Sequence, residues 1–101
     1  MKERTLKQKV KVFYERNGFK VWFPIRNRWQ KIDIFGVFDG IAWKEDLFVF
    51  FQMTTQENKS TRFKKIKEYM TENNLSFVAG YTRGEVICWD ANKRLLRVYS
   101  L

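Results

Sequence analysis

Asp39, Gln52 and Thr54 are the residues through which this sequence would do chemistry. Asp39 opens one apolar stretch, and Gln52 and Thr54 occupy alternate positions near the end of the next. A carboxylate on one strand and polar side chains at alternate positions of its neighbour can build a magnesium site in a small sheet. Mg²⁺ takes few protein oxygens and completes its shell with water and substrate phosphate. A lysine two residues beyond the second ligand would orient the attacking water. Asp33, six residues before Asp39, offers a second carboxylate. Each residue also has a plainer reading. Asp39 beside Gly40 suits a turn, Gln52 a satisfied core amide, Thr54 a strand end, and Asp33 an ion pair with Arg26 or Lys31. An unpaired carboxylate within an apolar strand is costly, which favours a role for Asp39 beyond the turn.

Composition narrows the alternatives. The 101 residues include no histidine and a single cysteine, Cys88. Ser-His-Asp and Cys-His catalysis, imidazole acid–base chemistry, His-containing zinc sites, CxxC clips and an intrachain disulfide are therefore excluded. Carboxylates, amides, hydroxyls, lysines and an oxygen-bound hard cation remain.

These side chains need a sheet to position them. Leu6, Val10, Phe13 and Tyr14 recur with the rhythm of one buried helical stripe, with Lys7, Lys9, Lys11 and Arg16 on the solvent side. Thr5 and Gln8 have capping-box spacing, and Asn17-Gly18 supplies a stop. Residues 19–23 read as a strand closed by Pro24. A basic loop then leads through residues 32–35 to Gly36, a bend or bulge. Residues 37–43 and 47–54 form a hairpin around Lys44-Glu45-Asp46, pairing Trp43 with Phe48, Ile41 with Phe50 and Asp39 with Gln52. That register puts a carboxylate, an amide and the Thr54 hydroxyl on one face. Leu47, Val49, Phe51 and Met53 make the other face wholly apolar, so the strand is buried on both sides. A second helix spans residues 61–72, with Phe63, Ile66 and Met70 inward and Asn73-Asn74 as terminator. Residues 75–81 read as a fourth strand, and 86–89 with 95–99 as a last hairpin around Asp90-Ala91-Asn92-Lys93.

The charge balance identifies a class of partner. Twenty Lys+Arg against eleven Asp+Glu give a formal net charge of +9, which favours nucleic acid first and an anionic membrane surface second. Arg26, Arg28, Trp29 and Lys31 combine phosphate-seeking cations with a ring on which a base can stack. Lys59, Arg62, Lys64 and Lys65 crowd the second helix just past the proposed site. No apolar run is long enough to span a bilayer. Met1-Lys2-Glu3-Arg4 is not followed by an apolar signal core, and the thiol is free, so a cytoplasmic protein is expected. No linker or repeat divides the chain, and one domain over residues 1–101 is expected.

The run from Asp39 through Gln52-Met53-Thr54 resembles the metal-binding heart of the PD-(D/E)XK nuclease superfamily. The likeness is to its small members, such as archaeal Holliday junction resolvases and related phage-type proteins. The thirteen-residue interval between Asp39 and Gln52, and Asn17-Gly18-Phe19 after an amphipathic helix, both suit that family. The resemblance covers roughly residues 5–82. It implies an α/β, restriction-endonuclease-like αβββαβ core, a four-stranded mixed sheet flanked by two helices, here extended by a C-terminal β-hairpin. It implies Mg²⁺- or Mn²⁺-dependent endonuclease activity on DNA rather than RNA, branched DNA included, and a homodimer making paired cuts. Asp39 and Gln52 would hold the cation, with Asp33 in support. Thr54 stands where the family has its lysine, so Lys64 or Lys65 would substitute from the following helix. The family's first-helix glutamate has no clear equivalent, since Glu3 precedes the predicted helix and Glu15 ends it. The alternative is an inactive relative that binds nucleic acid as an accessory protein.

Overall fold

The computed structural model describes residues 1–25 and 33–101. Its elements run α1 (Glu3–Arg16), β1 (Lys20–Trp22), β2 (Gly40–Lys44), β3 (Leu47–Thr55), a 3₁₀ turn (Gln56–Asn58), α2 (Lys59–Glu72), β4 (Thr82–Asp90) and β5 (Leu95–Ser100). The five strands form one mixed sheet in the order β1-β2-β3-β4-β5, making an α/β fold. Among the described residues only the β3–β4 pairing is parallel, and α2 is the crossover between those strands.

Each helix covers one face. Leu6, Val10 and Tyr14 of α1 pack on Ala42, Val49, Phe51, Met53 and Ile87. Ile66 of α2 lies in a second cluster with Val37, Phe38, Val86 and Cys88, flanked by Phe50 and Phe63. The alternation of β3 is what divides it between these cores, as the apolar Leu47-Val49-Phe51-Met53 face requires. Full burial of a large apolar side chain is worth about 1.5–3 kcal/mol, so Phe51, with no exposure, is among the strongest single anchors.

The β2–β3 hairpin adopts the expected register, Trp43 opposite Phe48 and Ile41 opposite Phe50. Its turn is tight because Glu45 takes a left-handed φ of 53°. The stop after α1 also matches expectation. Gly18 N–H donates to Glu15 O, Phe19 N–H donates to Tyr14 O, and Gly18 has φ 87°, a Schellman closure.

Four expectations are corrected. Thr5 is not a cap: α1 begins at Glu3, Lys2 is the N-cap without a side-chain bond, and Lys2 O accepts from the Thr5 and Leu6 amides. The acidic Glu3 complements the helix dipole at that end instead. Val37 and Phe38 belong not to β2 but to a compact turn closed by an Ile34–Phe38 bridge. Residues 75–81 form no strand. Leu75 and Phe77 pack into the α2-side cluster while the chain turns through Gly80, at φ 85°. The strand beside β3 is β4, so the sheet has five members rather than four plus a separate hairpin. Gly84 lies inside β4, where Phe77 and Leu101 press against its backbone and a Cβ would meet each at 2.6 Å.

Candidate functional site

Asp39 precedes β2 and holds β3 on either side of Gln52. Its N–H donates to Phe51 O at 2.7 Å, and its Oδ2 accepts the Met53 N–H at 2.7 Å. The Met53 N–H fixes the orientation of this buried carboxyl group. Asp39, Gln52 and Thr54 are all buried, at 8%, 6% and 7% exposure. Gln52 Nε2 donates to Met53 O at 3.3 Å, so the amide oxygen is the atom with which this residue would ligate a cation.

Asp33 is half-buried just before the Ile34–Phe38 bridge, and Asp39 follows it, so the two residues flank one ribbon end. Among the described residues, no three acidic, thiol or imidazole groups gather at one point.

The basic residues are distributed differently. Lys64 and Lys65 are exposed on α2. Lys64 borders a shallow groove with Lys67, Glu68, Thr71 and Glu72, which neither Asp39 nor Gln52 lines. Arg62 is half-buried, and Lys59 Nζ lies 4.2 Å from the Tyr99 ring centroid. Arg26, Arg28, Trp29 and Lys31 lie outside the described residues.

Glu85 lies outside every element expected from the sequence. The structure buries it in β4, where it accepts the Tyr14 hydroxyl at 2.9 Å and pairs with Arg83 Nε at 3.3 Å. Burial, and then the Glu85 charge, push the Tyr14 phenol well above its usual range. This carboxylate serves the α1 face, opposite Phe51 in register, whereas Gln52 faces away from it. Burial likewise raises the Cys88 thiol to about 11, which keeps it protonated and inert.

Nothing in Asp33-Ile34-Phe35-Gly36 signals the conformation of Phe35. It takes φ 56° and remains 52% exposed. Left-handed backbone costs a non-glycine residue roughly 1–2 kcal/mol. A basic-rimmed cleft of about 580 Å³ on the α1 side, lined in part by Lys9, Arg16, Trp89 and Arg94, was equally invisible because its walls come from opposite ends of the chain. No described helix is long and apolar enough to cross a membrane.

The sequence matches no protein-family model, and no curated protein is significantly similar to it.

Proposed function

We propose that this protein is a metal-dependent endonuclease of the PD-(D/E)XK type acting on DNA phosphodiesters, branched DNA among them, with a restriction-endonuclease-like fold. The observation that carries the reading is the grip of Asp39 on both sides of Gln52, which presents a carboxylate and an amide from adjacent chain segments. The αβββαββ order and the +9 charge support it. When bound, Mg²⁺ or Mn²⁺ supplies charge neutralisation at the scissile phosphate. Asp39 and Gln52 would hold it, with Asp33 as the further carboxylate. Their burial restricts competing water, and the Met53 N–H keeps the Asp39 carboxylate oriented. Lys64 or Lys65 would position the attacking water for in-line displacement, and the basic residues of α2 would hold the backbone.

A second reading rests on Thr54. It is neutral and buried where the family's lysine belongs, and both substitute lysines are exposed on α2. This favours a relative that binds nucleic acid without cutting it. Labelled single-stranded, duplex, flap and four-way-junction DNA, and RNA, separate the two when incubated with Mg²⁺, Mn²⁺ or EDTA. Metal-dependent cleavage that disappears in Asp39→Asn supports the nuclease. Salt-sensitive binding without cleavage supports the binding protein, and neither result removes both.

A further inference from the structure

Phe35 presents a ring where its backbone favours glycine or asparagine. The turn from Ile34 to Phe38 is closed by Ile34 N–H donating to Phe38 O at 2.8 Å and Phe38 N–H donating to Ile34 O at 3.0 Å. Its tip residues Phe35 and Gly36 have φ 56° and 74°, and no described residue lies within 4 Å of where a Gly36 Cβ would sit. Asparagine tolerates this conformation and a bulky ring does not. Core packing does not account for the choice, because the ring is 52% exposed. It stands nearly parallel to Tyr69, with centroids 6.0 Å apart at 15°, and 6.2 Å from Phe50. Phe50 shares the sheet face of Gln52, since the two are alternate residues of β3. The ring therefore lies against the β3 residue two positions before Gln52, on a turn whose two ends carry Asp33 and Asp39.

From this placement we infer that Phe35, backed by Tyr69, is a stacking platform for an unpaired nucleobase of a strand whose phosphate a cation held by Asp39 and Gln52 would engage. The inference rests on the nucleic-acid reading above and narrows its substrate to single strands, flaps or junctions. A base inside a continuous duplex already has both faces stacked, whereas an unpaired base has a face to offer. Strain held at an exposed side chain beside a candidate site fits this use, and the basic chain supplies the phosphate attraction that brings the strand to the ring.

The test uses oligonucleotides carrying 2-aminopurine at one position, either single-stranded or within a duplex, bound in EDTA so that no cleavage intervenes. Wild type should quench the unpaired probe. Phe35→Asn, which suits the backbone but lacks the ring, should abolish quenching and weaken single-strand binding roughly tenfold, leaving duplex binding unchanged. Phe35→Tyr should restore both. Thermal melts of each variant report folding. Quenching that persists in Phe35→Asn, equal losses on single strand and duplex, or no binding by wild type would each overturn the platform. Cleavage assays run separately. Metal-dependent cutting with ring-independent binding would remove only the platform, and ring-dependent quenching without cutting would remove only the hydrolytic reading.

Discussion

Asp39 brackets Gln52: its backbone N–H reaches the carbonyl on one side of that residue, and its carboxylate takes the N–H on the other. The same side chain therefore serves stability and the proposed cation site, and two substitutions separate these roles. Asp39→Ala leaves the buried Met53 N–H without its acceptor and should destabilise the fold by about 1–3 kcal/mol. Asp39→Asn keeps an acceptor oxygen and should cost less, yet both variants should lose metal-dependent cleavage. Urea unfolding alongside the cleavage panel checks this. An active Asp39→Asn would show that the carboxylate is structural only.

Tyr14 and Glu85 connect α1 to β4 through a buried bond between residues 71 apart in sequence. Tyr14→Phe keeps the ring packing and strips a donor from a buried carboxylate, so a loss of about 1–3 kcal/mol is expected. Adding Glu85→Gln should recover part of it, because a neutral amide tolerates the missing donor better than a charge does. A double-mutant cycle by chemical denaturation gives the coupling, and strictly additive losses would argue that the two groups do not interact.

Much of this arrangement was legible in the chain, and the parts that were not share a cause. The β2–β3 hairpin could be read because its alternation and polar turn are local, and a slip of one residue would turn Val49 and Phe51 away from the α1 core. The Asp39–Gln52 juxtaposition followed from the same register. Glu85, Gly84 and Phe35 could not be read. The first two make sense only once Tyr14, Phe77 and Leu101 arrive from elsewhere in the chain, and the last contradicts its own backbone preference. Tertiary contacts also kept residues 75–81 out of the sheet despite their apolar character.

Gly40 starts β2 where no side chain fits. A Cβ there would lie 2.8 Å from Trp22 O and collide with the Phe51 ring. Gly84 is obstructed only by the side chains of Phe77 and Leu101. Both alanine variants should be destabilised by about 1–3 kcal/mol, with Gly40→Ala the worse because backbone cannot rotate aside. Thermal melting of the two single variants checks the ranking, and a Gly40→Ala protein as stable as wild type would contradict the close β1–β2 packing.

Asp90 closes the β4–β5 turn, accepting from Arg97 Nε at 2.9 Å, Asn92 N–H at 3.0 Å and Lys93 N–H at 3.1 Å. The Arg97 bond, then the Lys93 amide, holds its carboxyl below the usual carboxylate value. A carboxyl with a lower pKa folded than unfolded binds fewer protons in the native state, so stability rises with pH through its titration. The contribution is complete above the unfolded value of about 3.9 and disappears as pH falls through the folded one. Arg97 shifts upward in return, but its titration lies in strong alkali and leaves the acid range untouched. Asp90→Asn keeps an acceptor for the turn amides and removes the charge. Wild type should therefore melt higher than Asp90→Asn near neutrality, and the gap should close as pH falls from about 5 toward 2. Melting temperatures of both proteins across that range provide the check. A gap that stays constant would mean that Asp90 acts through turn geometry alone, with no contribution from its charge.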